Sequence, residues 1–230
     1  MKASEALRPP LIRAHIANLA KYNAGVLRYV PLNFPTDTET VQNALRYIGV
    51  DGLRYESTII LDYESQIPGF RTAMSEYANI DEINYLAVRY AELTDFEKAM
   101  FQGAAEHGEY ADSLKDLINL TYNLGCYDLL PDVSDAEAYG YWLVDEAGSL
   151  ELSETIRLYF DFESYGETTA TNEGGVFTAA GYTVNNQSEF KEIYDGWNVP
   201  SEYRVFKYPL QPAPKKHETD RAKGGHDERV

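Results

Sequence analysis

Hydrophobic and polar positions change period several times along the chain, and each change marks an element. Ile12, Ala14 and Ile16 fall on one face of Ile12–Asn18, the period-two pattern of a half-buried strand. Lys21 to Gly25 is polar and predicts a turn. Val26 to Phe34 predicts an extended segment that Pro31 pushes towards a sheet edge. Thr38 is placed to cap a helix whose apolar face is Val41, Ala44, Leu45 and Ile48, with Gly49 as its stop. Ser57 to Asp62 is β-branched and apolar, a third strand. Residues 11–70 are thus expected to form a small antiparallel sheet with one helix.

Helical spacing takes over from there. Asn79 or Asp81 opens a helix carrying Ile83, Leu86, Ala87 and Tyr90. Thr94 caps a second through Phe96, Ala99, Met100 and Ala104, and Asp112 or Ser113 a third through Leu117, Ile118 and Leu120. The short links predict a helical subdomain over 71–125. From 126 the pattern mixes. Ser134 and Glu137 have capping-box spacing for a helix through Trp142 and Val144, and Ser153 begins another through Ile156 and Tyr159. Gly175 to Val184 predicts a strand or hairpin. A last helix near Ser188–Asp195 and a strand at Tyr203–Tyr208 complete an α+β subdomain over 126–208. The prolines, charges and glycines of 209–230 lack apolar periodicity and predict a flexible tail, and the first ten residues are expected to fray. The expected fold class is α+β: an elongated chain of three small subdomains and a tail.

Charge changes the picture more than composition does. The 230 residues carry 37 acids against 20 Lys and Arg, a net charge of −17. Residues 1–50 are +3 and 171–230 are −1, so the whole excess, −19, sits in 51–170. Between 101 and 170 there are 15 acids and 2 bases. The acids come singly or in pairs among Leu, Ile, Tyr and Phe, so they suit the outer face of amphipathic elements, not a disordered acidic run. Ordinary helix surfaces mix both signs, and this one does not. Such a balance repels nucleic acid and anionic lipid. No apolar run approaches the ~18 residues of a membrane span, no apolar signal core opens the sequence, and a single cysteine, Cys126, forms no intrachain disulfide. A cytoplasmic location is expected.

Signatures of catalysis are missing. There is no phosphate loop, no dinucleotide-binding glycine turn and no Gly-x-Ser-x-Gly elbow. His15, His107, His217 and His226 are scattered; neither His15 nor His107 has a neighbour at metal-ligand spacing, and Cys126 has no adjacent base. Asp62–Glu64 and Asp161–Glu163 are carboxylate pairs of the kind a glycosidase or a hard-metal site uses, yet an acidic chain produces such pairs by chance. No cofactor and no metal site are expected. Nineteen tyrosines against nine phenylalanines suit either a half-exposed contact surface or the rims of thin domains.

Several short motifs resemble the antirestriction protein ArdA family, in the order that family has them. They are Lys21-Tyr22-Asn23-Ala24-Gly25 after the first strand, Asp62-Tyr63-Glu64 after the third, and Ile83-Asn84-x-Leu86 in the first helix of the middle region. The longest is Tyr159-Phe160-Asp161-Phe162-Glu163-Ser164-Tyr165-Gly166, after the acidic stretch Asp145-Glu146-Ala147-Gly148-Ser149-Leu150. Thr171-Asn172-Glu173-Gly174-Gly175-Val176-Phe177 completes the series. Glu167 stands where the family commonly has Arg, which makes this site more acidic.

The resemblance implies an inhibitor of type I restriction–modification enzymes, carried on plasmids or conjugative elements. It also implies an elongated, dimeric protein whose carboxylates imitate DNA phosphates in the groove of the methyltransferase core. Duplex DNA carries one charge per roughly 1.7 Å, so nineteen net charges correspond to about 32 Å, on the order of ten base pairs. Candidates for the mimicking face are Asp112, Asp116, Asp128, Asp132, Asp135, Glu137, Asp145, Glu146, Glu151, Glu154, Asp161 and Glu163. Structural roles are expected for the motif residues Lys21, Tyr22, Asn23, Gly25, Asp62, Tyr63, Glu64, Tyr159, Tyr165 and Gly166, and a cap or turn role is the alternative for Asp161. Two other classes stay open: a tyrosine-rich protein-binding adaptor and a carboxylate-dependent hydrolase. The charge balance generates one expectation directly. In a gel-shift titration at about 0.1 M salt, where screening is still incomplete, the protein leaves duplex DNA unshifted into the micromolar range.

Overall fold

Alternation decides the first sheet. With Ile12, Ala14 and Ile16 fully buried on one face, β1 (Ile12–Asn18) becomes the central strand of a three-stranded antiparallel sheet in the computed structural model, which describes residues 9–209. Its neighbours are β2 (Tyr29–Phe34) and β3 (Thr58–Ser65), Ile12 facing Phe34 on one side and Ser65 on the other. The expectations for residues 1–8 and 210–230 lie outside the described residues. Pro9 and Pro10, expected to fray, both accept from the Gln66 carboxamide. Residues predicted as a polar turn instead form a short helix, α1 (Leu19–Asn23), because the Asn18 side chain accepts from the Lys21 N–H and caps it. Helix α2 (Thr38–Ile48) buries Val41, Ala44, Leu45 and Ile48 as its spacing predicts, and Gly49 ends it at φ +75°. Its cap is Asp37, not Thr38: the Asp37 carboxylate accepts from the Thr40 N–H and Oγ.

One unforeseen turn of helix, α3 (Phe70–Ala73), leads into α4 (Ile80–Glu92), α5 (Asp95–His107) and α6 (Leu114–Leu120). Asn79, Thr94 and Ser113 cap them, and Thr94 with Glu97 forms a reciprocal capping box. One buried cluster contains Ile16 and Leu45 from the first sheet and its helix, Ile83, Phe101 and Leu117 from these helices, and Tyr194 and Val205 from the end of the chain.

The second sheet has order β4–β6–β5, from β4 (Tyr127–Leu130), β5 (Val176–Thr178) and β6 (Gly181–Asn185), all antiparallel. Between β4 and β5 run α7 (Ala136–Asp145), α8 (Glu154–Arg157) and α9 (Phe162–Glu173). Neither β4 nor α9 is marked in the hydrophobic pattern, and α8 stops at Arg157, short of Tyr159. The α7 cap is Asp135 in place of the expected Ser134, its carboxylate accepting from the Ala138 N–H. A second, smaller buried cluster joins Val133, Tyr139, Leu143, Ala170 and Tyr182. The fold is α+β, as the pattern predicts.

Two expected elements are absent. Ser188–Asp195 is not helical, and Tyr203–Tyr208 is not a strand. This last segment is an irregular strap whose backbone groups are met by side chains. Asn119 accepts from the N–H groups of Ile193 and Tyr194 and donates to the Tyr194 carbonyl. Asn123 does the same for the N–H and carbonyl of Lys191. Asp81 accepts from Val205 and Phe206, and Asn84 donates to Tyr203. With its polar groups satisfied in this way, the strap needs no ladder of its own.

Helices α7 and α9 meet backbone to backbone. A Cβ on Gly140 would overlap the Phe162 carbonyl, and one on Gly166 would overlap the Ala136 carbonyl. Only residues without side chains permit that approach. Gly166→Ala is therefore expected to lower stability by about 3 kcal/mol, the upper end of overpacking costs. Gly125→Ala, with nothing within 4 Å of the added carbon, should stay within about 0.5 kcal/mol. Urea midpoints of the two variants check this.

Candidate acidic interaction surface

Eleven of the twelve candidate carboxylates are exposed; Asp116 is half-buried, accepting from the Ser113 hydroxyl at 2.7 Å. Asp112 and Asp116 lie at the start of α6. The other ten lie between β4 and the first turn of α9: Asp128 on β4, Asp132 in the following turn, Asp135 and Glu137 at the start of α7, Asp145 and Glu146 at its end, Glu151 in the linker, Glu154 on α8, and Asp161 and Glu163 at the start of α9.

Half of these acids have local structural work. Asp116, Asp135, Glu137, Glu154, Asp161 and Glu163 cap or occupy first helical turns, where unpaired N–H groups and the helix dipole favour negative charge. Asp161 accepts from the Ser164 N–H at 2.9 Å, the cap role held open for it. Asp145 and Glu146 are different. They sit at the C-terminal end of α7, where the dipole opposes them and the last turn holds no base. Helix stability does not account for them.

Arg157 answers Asp145 with a bidentate pair, at 2.5 and 2.6 Å, and lies over the rings of Phe162 and Tyr141. From β4 to the end of β6, residues 127–185, the chain has twelve acids and one base, and that base is Arg157. Among the described residues the other ion pairs are Arg13–Glu64, Arg89–Glu92 and Lys115–Glu192, all outside this stretch. Its one cation is thus spent on Asp145, and the rest of the array keeps its charge. Acids at 106 and 109, not singled out in the sequence, border the same sheet: Glu106 accepts from the Ala179 N–H and Glu109 pairs with Asn185. Glu173, part of the last family motif, is not among the twelve candidate acids. Its Oε2 accepts from the hydroxyls of Tyr139 and Tyr182 at 2.7 and 2.9 Å.

The motif residues divide. Lys21 donates from Nζ to the Ile48 carbonyl and lies over the Tyr55 ring; Gly25, at φ +79°, turns the chain after α1, where Asn23 is its last residue and Tyr22 is exposed. Tyr63 packs edge-on to Phe70 and donates to the Arg71 carbonyl, between exposed Asp62 and Glu64 on β3. Tyr165 donates to the Ser149 hydroxyl, and Gly166 makes the helix crossing. Tyr159 follows α8, its backbone N–H donating to the Ile156 carbonyl and its ring 86% exposed.

Neither histidine within the described residues belongs to a metal site. His15 lies on the central strand edge-on to Tyr29, and His107 Nε2–H donates to the Gly174 carbonyl. Among the described residues no group of His, Cys, Asp and Glu could hold a metal ion, and no helix is long and apolar enough to cross a membrane. Cys126 is buried, which pushes its thiol pKa up.

Comparison with known families decides the assignment. The family described as Antirestriction protein (ArdA) matches residues 14–184, most of the chain and all of both sheets' paired strands except their outermost ends. The chain belongs to the ArdA family. No match among curated proteins accompanies it. ArdA membership carries an antirestriction function, exercised on restriction–modification enzymes. The match ends one residue before β6 does, so the strap lies beyond the part that defines the ArdA chain.

The Asp145–Arg157 pair yields a pH expectation. The Arg157 hydrogen bonds, followed by its charge, hold the Asp145 carboxyl below its ordinary value, which is about 3.9 when unperturbed. A depressed carboxyl adds stability above its unfolded pKa and loses it as pH falls through the folded one. Its contribution is therefore present above about pH 4 and lost on further acidification. Carboxyl NMR titration should show Asp145 low in the parent and returned to the ordinary range in Arg157→Gln.

Proposed function

We propose that this antirestriction protein presents its exposed carboxylates as a substitute for DNA phosphates and occupies the DNA-binding groove of a type I restriction–modification enzyme, at the methyltransferase core, with no catalysis of its own. The observation that carries this reading is the stretch 127–185, twelve acids with one base that is itself neutralised. Exposed like charges held by helices and a sheet are organised before binding, so a cationic groove gains their field without paying to order them. A homodimer, with a second copy doubling the array, belongs to the same reading, as does action in the cytoplasm, where DNA and enzyme meet.

Salt dependence separates this reading from an adaptor that binds through tyrosines. Counterions held by a phosphate-binding groove are released when carboxylates replace them, so log affinity should fall steeply with log salt. Converting four or five of Asp128, Asp132, Asp135, Glu137, Glu151 and Glu154 to amides should flatten the slope and weaken binding in steps of under about 1 kcal/mol per exposed charge. Changing all four acids of 186–208, Glu189, Glu192, Asp195 and Glu202, should do less than changing four of those in 128–154. Competition against DNA for a purified type I methyltransferase measures both. A salt-insensitive affinity, or one abolished by a single amide, would point to a conventional hot-spot interface and end the proposal.

A further inference from the structure

A cleft of about 1000 Å³ opens between α5, β4, β6 and α7. Its lining is rich in rings: Phe96 from α5 and Trp142 from α7 face the opening, while Tyr127 of β4, Tyr139 of α7 and Tyr182 of β6 are buried behind it. Tyr139 stacks on Tyr182 with centroids 4.1 Å apart and lies nearly parallel to Trp142 at 5.9 Å. Against these rings the cleft holds one carboxylate at the end of α9, that of Glu173.

The electrostatics of that carboxylate are one-sided. Both tyrosine hydroxyls donate to Oε2, which fixes the group in place, and among the described residues no donor reaches Oε1 and no cation pairs with Glu173. It is the last residue of α9, where the helix dipole adds to its negative potential. Asp128 lines the same cleft. A second observation is independent of charge. Two groups of the cleft are open to solvent, the Phe96 ring, 61% exposed, and Glu173 itself.

Aromatic faces beside a held carboxylate recognise a cation. The accessible rings, Phe96 and the half-buried Trp142, attract it through their quadrupoles, the carboxylate supplies a charge-assisted bond, and a planar guanidinium also stacks on such a ring. We propose that this cleft is a socket for an arginine side chain of the restriction enzyme, a focused anchor within the otherwise distributed acidic surface. The proposal rests on the reading above, because a groove that binds DNA phosphates supplies arginines. A cleft of this volume also admits the residues flanking the side chain.

The test needs no enzyme at first. In a Trp197→Phe background, Trp142 is the only tryptophan and reports the cleft by its fluorescence. N-acetyl-arginine methylamide, titrated at constant ionic strength, should give a saturable change; the neutral isostere N-acetyl-citrulline methylamide should give none. Glu173→Gln, whose amide oxygen still accepts both tyrosine hydroxyls, should bind the arginine probe at least tenfold more weakly with an unaltered melting temperature. Phe96→Ala, at a rim position 61% exposed, should weaken it severalfold without touching the core, and Asp132→Asn should stay within twofold. Equal binding of the citrulline probe would show a cleft for neutral chains and overturn the proposal. So would no saturable change, or Glu173→Gln and Phe96→Ala binding like the parent. With the enzyme, Glu173→Gln should cost about tenfold more affinity than Asp132→Asn. If the two cost the same while the parent keeps a steep salt slope, the socket falls and the mimicry stands. A flat slope with the arginine probe still bound overturns the mimicry alone.

Discussion

Like charges that no cation neutralises repel one another, and the 127–185 unit has to hold together against that constraint. Its buried cluster is small, Val133, Tyr139, Leu143, Ala170 and Tyr182, so hydrophobic burial alone is a modest counterweight. The fold compensates in two ways. It puts half of the candidate acids at helix starts, where their charge is welcome. It also brings α7 and α9 into backbone contact at Gly140 and Gly166, which shortens the distance over which packing acts.

The tyrosines follow from the same shortage of core. A tyrosine lets a large ring be buried in a small core while its hydroxyl finds a polar partner at the edge of that core. Tyr139 and Tyr182 share Glu173, and Tyr194, a residue of the strap, donates to Glu82. Burial, reinforced by the Glu173 bond, pushes the Tyr139 hydroxyl up to about 12, so these groups stay protonated donors at any physiological pH. The open alternatives for the tyrosine excess, contact surface or thin-domain rim, divide by residue: Tyr139 and Tyr182 serve the interior, while Tyr159 is left in solvent.

What the sequence made legible was whatever one segment could state by itself. Ile12–Asn18 alternates and is a strand with those bounds; Thr94 and Glu97 form the capping box their spacing announces; Gly49 stops its helix. The illegible parts depend on other segments. Helix α9 carries few apolar residues because its buried face is a glycine contact, so Gly166 leaves no hydrophobic period to find. The strap carries apolar residues at Tyr194, Val199 and Val205, which resemble a helix and a strand, but its path is set by Asn84, Asn119 and Asn123 from far upstream. The acidic surface was legible as a charge excess. The neutralisation of Arg157 and the holding of Glu173 were not, since each is a contact between distant side chains.

The strap has a consequence for tolerance to mutation. Side chains of α4, of α6 and of Asn123 just after it hold many of its peptide groups, so much of the information that fixes its course is written outside the strap, alongside the anchors Tyr194, Val199 and Val205. Positions such as Ser188, Glu189 and Ser201, exposed along it, are free to drift in identity while the path is kept. The burden falls instead on three buried carboxamides, Asn84, Asn119 and Asn123, none of which has a substitute that both donates and accepts in the same space. A segment that varies in sequence and yet keeps its shape is a natural place for a lineage to change its surface without refolding its body.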